Sequence, residues 1–252
     1  MRKPVALFVS QSAHPWGGVE SWLERLVAAL EGYGWRVVVG LVRGRSNHDP
    51  YTYLALHPYR ESVAITCRTG TVEGRVRAIQ KALESVGPDV VVPVGIADVL
   101  EAVRRVRAAA AKPRLLAVLH GFGLAQLRDL AAHRGQLDRA VAVNRLLHAA
   151  LIDVAGLDPE RTGCVPVGAM LPREDACRKE GPFRVAWVGR LCRESKRAGD
   201  VVPVAAALDA LGCDFRLDVV GSGPLEEALI RDVERAGLVR KVRFRGFVSE
   251  DE

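Results

Sequence analysis

The sequence lacks the marks of several protein classes. Its five cysteines, Cys67, Cys164, Cys177, Cys192 and Cys213, are odd in number and form no C-x-x-C pair. That argues against a disulfide framework or a zinc site and fits a reducing compartment. No apolar run approaches the roughly 18 residues of a membrane span; the longest candidate, Val86 to Leu100, is broken by Pro88, Asp89, Pro93 and Asp98. After Arg2 and Lys3 the apolar stretch stops at Ser10 with no small-residue cleavage site, so it does not read as a signal peptide. A cytoplasmic protein is expected. There is no G-x-x-x-x-G-K-[ST] phosphate loop, no G-x-S-x-G nucleophile elbow and no H-E-x-x-H metal helix. Nor is there a D-x-D pair to hold a metal-bound diphosphate, so no metal or other cofactor is expected. A bound diphosphate would have to be neutralised by protein cations and helix dipoles.

What is present is an ordinary globular balance: 252 residues, 49% hydrophobic and 26% charged, with 36 basic against 30 acidic residues and a net charge of +6. The length allows one large domain or two small ones. The basic residues are spread along the chain without an aromatic-basic pattern, so nucleic acid is not an expected partner. Arg43, Arg45, Arg104, Arg105 and Arg107 offer a peripheral contact with an anionic inner membrane face, although a solvated polar face is the simpler reading.

The pattern is strand, turn and helix, repeated. Val5–Val9 is the first strand, and Val19, Trp22, Leu23, Leu26, Val27 and Leu30 then form one continuous helical stripe. Strands follow at Trp35–Val42, Ser62–Cys67, Asp89–Val94, Arg114–His120, Arg139–Val143 and Thr162–Val167. Helices are expected between them, at Val72–Leu83, at Asp98–Ala110, from Leu124 and from Asn144. This alternation predicts an α/β fold with a doubly wound parallel sheet over residues 1–170. Periodicity lapses over 171–182, a linker by composition. A second βαβαβ unit then covers 183–252: Phe183–Val188, a helix near Ala198–Leu211, Phe215–Val220, a helix near Pro224–Ala236, and Val242–Arg245. Ser249-Glu250-Asp251-Glu252 reads as a capping box that opens a helix beyond the chain. With a three-strand half-sheet that leaves an edge bare, this predicts a chain truncated at its C-terminus.

Four glycine-bearing turns fall where strands hand over to helices, the ligand-binding edge of an open α/β sheet. Trp16-Gly17-Gly18-Val19-Glu20 precedes the first helix, whose N-terminus suits an anion; an ordinary tight turn is the plain alternative. Gly189-Arg190-Leu191, with Lys196 six residues after Arg190, can bring two cations to one anion. Gly221-Ser222-Gly223-Pro224 begins like a dinucleotide fingerprint but has Glu226 at the third glycine position, which weakens that reading. Leu119-His120-Gly121 puts an imidazole at a strand end. His14, His48, His57, His133 and His148 lack that position and read as structural.

These turns, in this order on either side of a linker, resemble the GT-B glycosyltransferases of the family-4-like group. The most specific stretches are Phe183–Leu191, Ser195-Lys196-Arg197, Gly221–Leu225 and Val242–Val248. The resemblance implies a GT-B fold: one Rossmann-like acceptor-side domain, and the first half of a nucleotide-sugar-binding domain. It implies an enzyme that moves a sugar from a nucleotide-sugar donor to a hydroxyl on a glycan, lipid or small-molecule acceptor, with retained configuration. By the same likeness Gly17, Gly18, Arg190, Lys196, Gly221 and Gly223 would bind the donor, and His120 would be the catalytic-site histidine near the sugar. The chain departs from the family at Val167-Gly168-Ala169-Met170 and at His120-Gly121. The family's E-x7-E glutamates would lie beyond Phe247, so these residues alone are expected to be inactive. The alternatives are a non-catalytic nucleotide-binding or regulatory module, a sugar-nucleotide epimerase on the same fold, and a nicotinamide-dependent Rossmann enzyme.

Overall fold

The computed structural model describes residues 2–11, 17–43, 50–57, 59–109, 113–168, 181–193 and 196–248. The chain divides into two compact units, Met1–Met170 and Leu171–Glu252. In the first unit seven strands form one sheet: β1 (Val5–Gln11), β2 (Arg36–Val42), β3 (Ser62–Ile65), β4 (Val90–Val94), β5 (Arg114–Leu119), β6 (Arg139–Ala142) and β7 (Thr162–Cys164). Their order is β3-β2-β1-β4-β5-β6-β7 and every pairing is parallel. Order reverses between β1 and β4, so the carboxyl ends of these strands flank the crevice where such sheets bind ligands.

The continuous apolar runs have a direct cause, since both faces of this sheet are covered. Leu7 and Val9 of β1 join a core with helices α3 (Val72–Val86), α4 (Asp98–Ala109), α5 (Leu124–Ala132) and α6 (Arg145–Asp153). Ala6 and Phe8 point the other way, to α1 (Gly18–Gly32) and α2 (Pro50–Leu56). Capping fixes where several helices begin. The Thr71 hydroxyl accepts the Gly74 N–H at 3.0 Å, and Asn144 Oδ1 accepts the Leu147 N–H at 2.8 Å, each contributing about 1 kcal/mol. At the opposite edge, Asp89 accepts the Val5 N–H and Asp138 the Leu115 N–H, both at 2.7 Å. Burial opposes ionisation of Asp138, but that N–H and the Arg107 guanidinium outweigh it and hold the carboxyl below its usual range.

The expected strands largely stand, with two trimmed. The third ends at Ile65 rather than Cys67, and the seventh at Cys164 rather than Val167. Val165 and Val167 are 60% and 43% exposed, so past Cys164 there is no apolar burial to reward further pairing. Helix α2 was not anticipated; it is seven residues long, too short to display a stripe.

The second unit is a parallel sheet of β8 (Phe183–Val188), β9 (Phe215–Val220) and β10 (Val242–Gly246), ordered β10-β9-β8. Helices α7 (Val201–Ala210) and α8 (Glu226–Arg235) pack on one face through Val201, Ala205, Leu229 and Val233 against Phe215, Leu217, Val219 and Val242. Arg184, Ala186, Arg216 and Arg243 alternate with those core positions and are exposed. Phe183 and Val188 on β8 are also exposed. Of the expected linker, only Gly181 and Pro182 are among the described residues; the Ser249–Glu252 capping box lies outside them.

Candidate functional site

In the first unit the chain leaves β1, and Gly17 then caps α1. Gly17 is extended (φ −174°) and offers no side-chain cap, while its carbonyl accepts the Ser21 N–H at 3.0 Å. The two glycines differ in surroundings. A Cβ on Gly17 would lie 2.5 Å from Glu20 Oε2, whereas one on Gly18 would meet nothing within 4 Å. The Glu20 carboxylate therefore lies over the start of α1, where a third-position acid complements the helix dipole. An anion at this turn would face a like charge, whereas an amine or hydroxyl would not. Trp16, the residue before the pair, lies outside the described residues.

His120 closes β5, one strand over from the reversal point. Its ring stands 4.3 Å from that of Trp22 on α1, centroid to centroid, at 71°, and Trp22 in turn meets Phe8 of β1 edge-on at 6.4 Å. The His120 Nε2 is buried and has no hydrogen-bond partner among the described residues. Burial holds the imidazole below its ordinary value, so it is neutral near pH 7. Phe122 and Leu124, just beyond it, are exposed. The α1 turn and His120 thus meet through Trp22, one helical turn after Gly18.

The other histidines within reach of description have partners. His57 is fully buried, pairs with Glu24 through Nδ1, and stacks between Tyr53 and Tyr59. His133 bonds the Asp129 carbonyl, and His148 Nε2 lies 3.0 Å from Thr162 Oγ1. His14 and His48 lie outside the described residues. Sequence reasoning missed Trp22 and Glu20 as parts of this site; each had a helical position as its signal, but only tertiary contact gives it meaning.

In the second unit two turns interlock backbone to backbone. Leu191 N–H donates to the Ser222 carbonyl and Leu225 N–H to the Leu191 carbonyl, both at 3.0 Å. Gly221 (φ +124°) has the Gly189 carbonyl oxygen 2.0 Å from where a Cβ would stand, and at Gly223 the Leu191 oxygen is 2.4 Å away. The space these glycines leave is filled by the neighbouring turn, a packing requirement that precedes any ligand. Lys196 runs across Gly189: a Cβ there would lie 2.8 Å from Lys196 Cγ. The lysine stem therefore lies beside the residue that precedes Arg190. Lys196 and Arg197 both take positive φ, 63° and 50°, at a cost of about 1–2 kcal/mol each for residues with a Cβ.

Among the described residues no group of three His, Cys, Asp or Glu is placed to hold a metal ion, and no helix is long and apolar enough to cross a membrane. Among the described residues, Cys67, Cys164, Cys192 and Cys213 form no disulfide; Cys177 lies outside them. Of the five arginines suggested for membrane contact, three are engaged: Arg104 with Glu101, Arg105 with Glu73 and Glu101, and Arg107 with Asp138; Arg43 is exposed and Arg45 lies outside the described residues.

No protein-family model matches the chain. It is 34% identical over 105 residues to a 2-deoxystreptamine glucosyltransferase of Streptomyces kanamyceticus, covering 40% of this chain and 27% of that protein. It is 33% identical over 147 residues to a 2-deoxystreptamine N-acetyl-D-glucosaminyltransferase of Streptomyces fradiae, covering 55% and 33%. The matched regions thus span at most a third of those relatives' lengths. Among solved structures it is similar to the lipopolysaccharide outer core galactosyltransferase WaaB (TM-score 0.72, 15% identity, 98% of this chain and 69% of that one). It is also similar to Anabaena HepE in complex with UDP and glucose (TM-score 0.68, 21% identity, 98% and 70%), and to a putative UDP-N-acetylglucosamine 2-epimerase from Listeria monocytogenes (TM-score 0.60, 10% identity, 99% and 70%). These likenesses show the fold: two Rossmann-like α/β units of the GT-B type, the second the smaller.

Proposed function

We propose that the chain belongs to a retaining glycosyltransferase of the family-4-like group, one that moves a sugar from a nucleotide-sugar donor to a hydroxyl acceptor. In this reading residues 1–170 form the acceptor-side domain and 183–252 part of the nucleotide-sugar-binding domain, joined by 171–182. The protein acts in the cytoplasm. Arg190 and Lys196 neutralise the donor diphosphate, and His120 stands near the transferred sugar. The observation that carries the reading is the Lys196 stem lying against Gly189, the residue before Arg190, at the carboxyl end of a strand. Departure of a nucleoside diphosphate builds negative charge, and fixed cations lower the barrier by binding that charge more tightly in the transition state.

The sequence relatives act on 2-deoxystreptamine, and we take an aminocyclitol as the first acceptor to try. Its ammonium groups would find an opposite charge in Glu20 at the start of α1. This shifts the expected work of Gly17 and Gly18 toward close backbone approach to a sugar hydroxyl or amine as well as to phosphate. The test is titration of the protein with UDP-sugars, GDP-sugars and NAD, followed by product analysis with 2-deoxystreptamine. Saturation by a UDP- or GDP-sugar is the expected result, with glycoside formation expected once the E-x7-E glutamates are also supplied. Saturation by NAD alone would overturn the reading. Interconversion of the sugar without an acceptor would favour an epimerase, and binding that yields no glycoside even with those glutamates supplied a nucleotide-binding module.

A further inference from the structure

We infer that Trp22 is a positioning residue for His120, fixing the orientation of its ring. The inference rests on the reading of His120 as the group nearest the transferred sugar. In the helical stripe of α1, Trp22 reads as one apolar position among six, and a leucine would serve such a place as well. The structure gives it a distinct task. Its ring meets Phe8 of β1 and the His120 ring in two edge-on contacts, at 75° and 71°, bridging the core to the end of β5. Trp22 is itself only partly buried and packs against the cluster that holds Ala6, Phe8, Leu23 and Val27.

His120 Nε2, buried and without a hydrogen-bond partner among the described residues, has no bond at that nitrogen to set the rotation of the imidazole. Packing must set it instead, and the indole is the aromatic surface in contact. The same indole withholds water from the ring, and desolvation is what disfavours the imidazolium.

The test is histidine ring-nitrogen NMR of the full chain across pH, with the His120 signal assigned by its loss in His120→Asn. Wild type should show a Trp22–His120 Overhauser contact, a single ring tautomer and titration below the ordinary value of about 6.5. Trp22→Leu should move that titration up toward the ordinary value and average the tautomers, and Trp22→Phe should largely restore the wild-type behaviour. On a donor–acceptor pair that the protein turns over, Trp22→Leu should lower kcat about ten-fold, with donor KM within two-fold. An unchanged His120 titration in a folded Trp22→Leu protein, or Trp22→Phe as damaging as Trp22→Leu, would overturn the inference. So would the absence of the Overhauser contact in wild type, a result that needs no variant to fold. A shifted titration with unchanged turnover would uphold the positioning and instead remove His120 from the reaction.

Discussion

The glycine turns of the two units look alike in sequence and differ in what they need. In the second unit, the places where side chains would stand at Gly221 and Gly223 are occupied by the carbonyls of Gly189 and Leu191. In the first unit, Gly18 borders open space and Gly17 meets only the flexible tip of Glu20. A turn glycine can thus be demanded by the fold or left free for a ligand, and only the surrounding backbone tells which. The two sheets differ in parallel fashion. The first is clad on both faces and its strands are continuously apolar, whereas the second is clad on one face and its strands alternate.

The largest expected effect comes from adding a methyl group where the turns interlock. Gly221→Ala should cost about 1–3 kcal/mol through its backbone conformation alone, and the clash with Gly189 adds to that. Hydrogen exchange should show β8, β9 and β10 losing protection while the first unit keeps its own. Uniform protection would erase the contrast drawn above.

A smaller effect is expected at His120. Its folded-state pKa is depressed, so the unfolded chain binds more protons once pH falls below about 6.5. Stability contributed by the neutral ring is therefore present above that pH and lost as pH falls toward the folded-state value. His120→Asn should lose less melting temperature than wild type between pH 7.5 and pH 5. An equal loss would mean that the ring is not desolvated.

The smallest change in stability should follow Gly18→Ala. Alanine at the first position of α1 meets nothing and favours the helix, so stability should hold or rise by up to about 1 kcal/mol. Transfer should nevertheless fall several-fold if a ligand approaches that backbone. Full activity together with unchanged stability would show that Gly18 serves neither fold nor ligand.

Much of the fold was legible because burial on both faces writes itself into strands such as β2 and β4 as unbroken apolar runs. Where the period is short, legibility fails: α2 has too few turns to show a stripe. Site residues were legible by place rather than by partner. His120 and Arg190 could be picked out as strand-end groups, but the indole of Trp22 against His120 joins residues on α1 and beyond β5. Likewise, the engagement of Arg105 depends on Glu73, 32 positions away, which no local window contains. Gly221 and Gly223 are expected to bind the donor, and their turn sequence does not reveal that the neighbouring turn packs against both of them.

The most direct test of the account is calorimetric titration of UDP into wild type, Arg190→Ala and Lys196→Ala, each shown to melt as wild type does. Loss of one charge-assisted contact to a diphosphate should weaken binding about ten- to hundred-fold in each variant. Equal affinity in all three would contradict the assignment of this turn to the donor diphosphate.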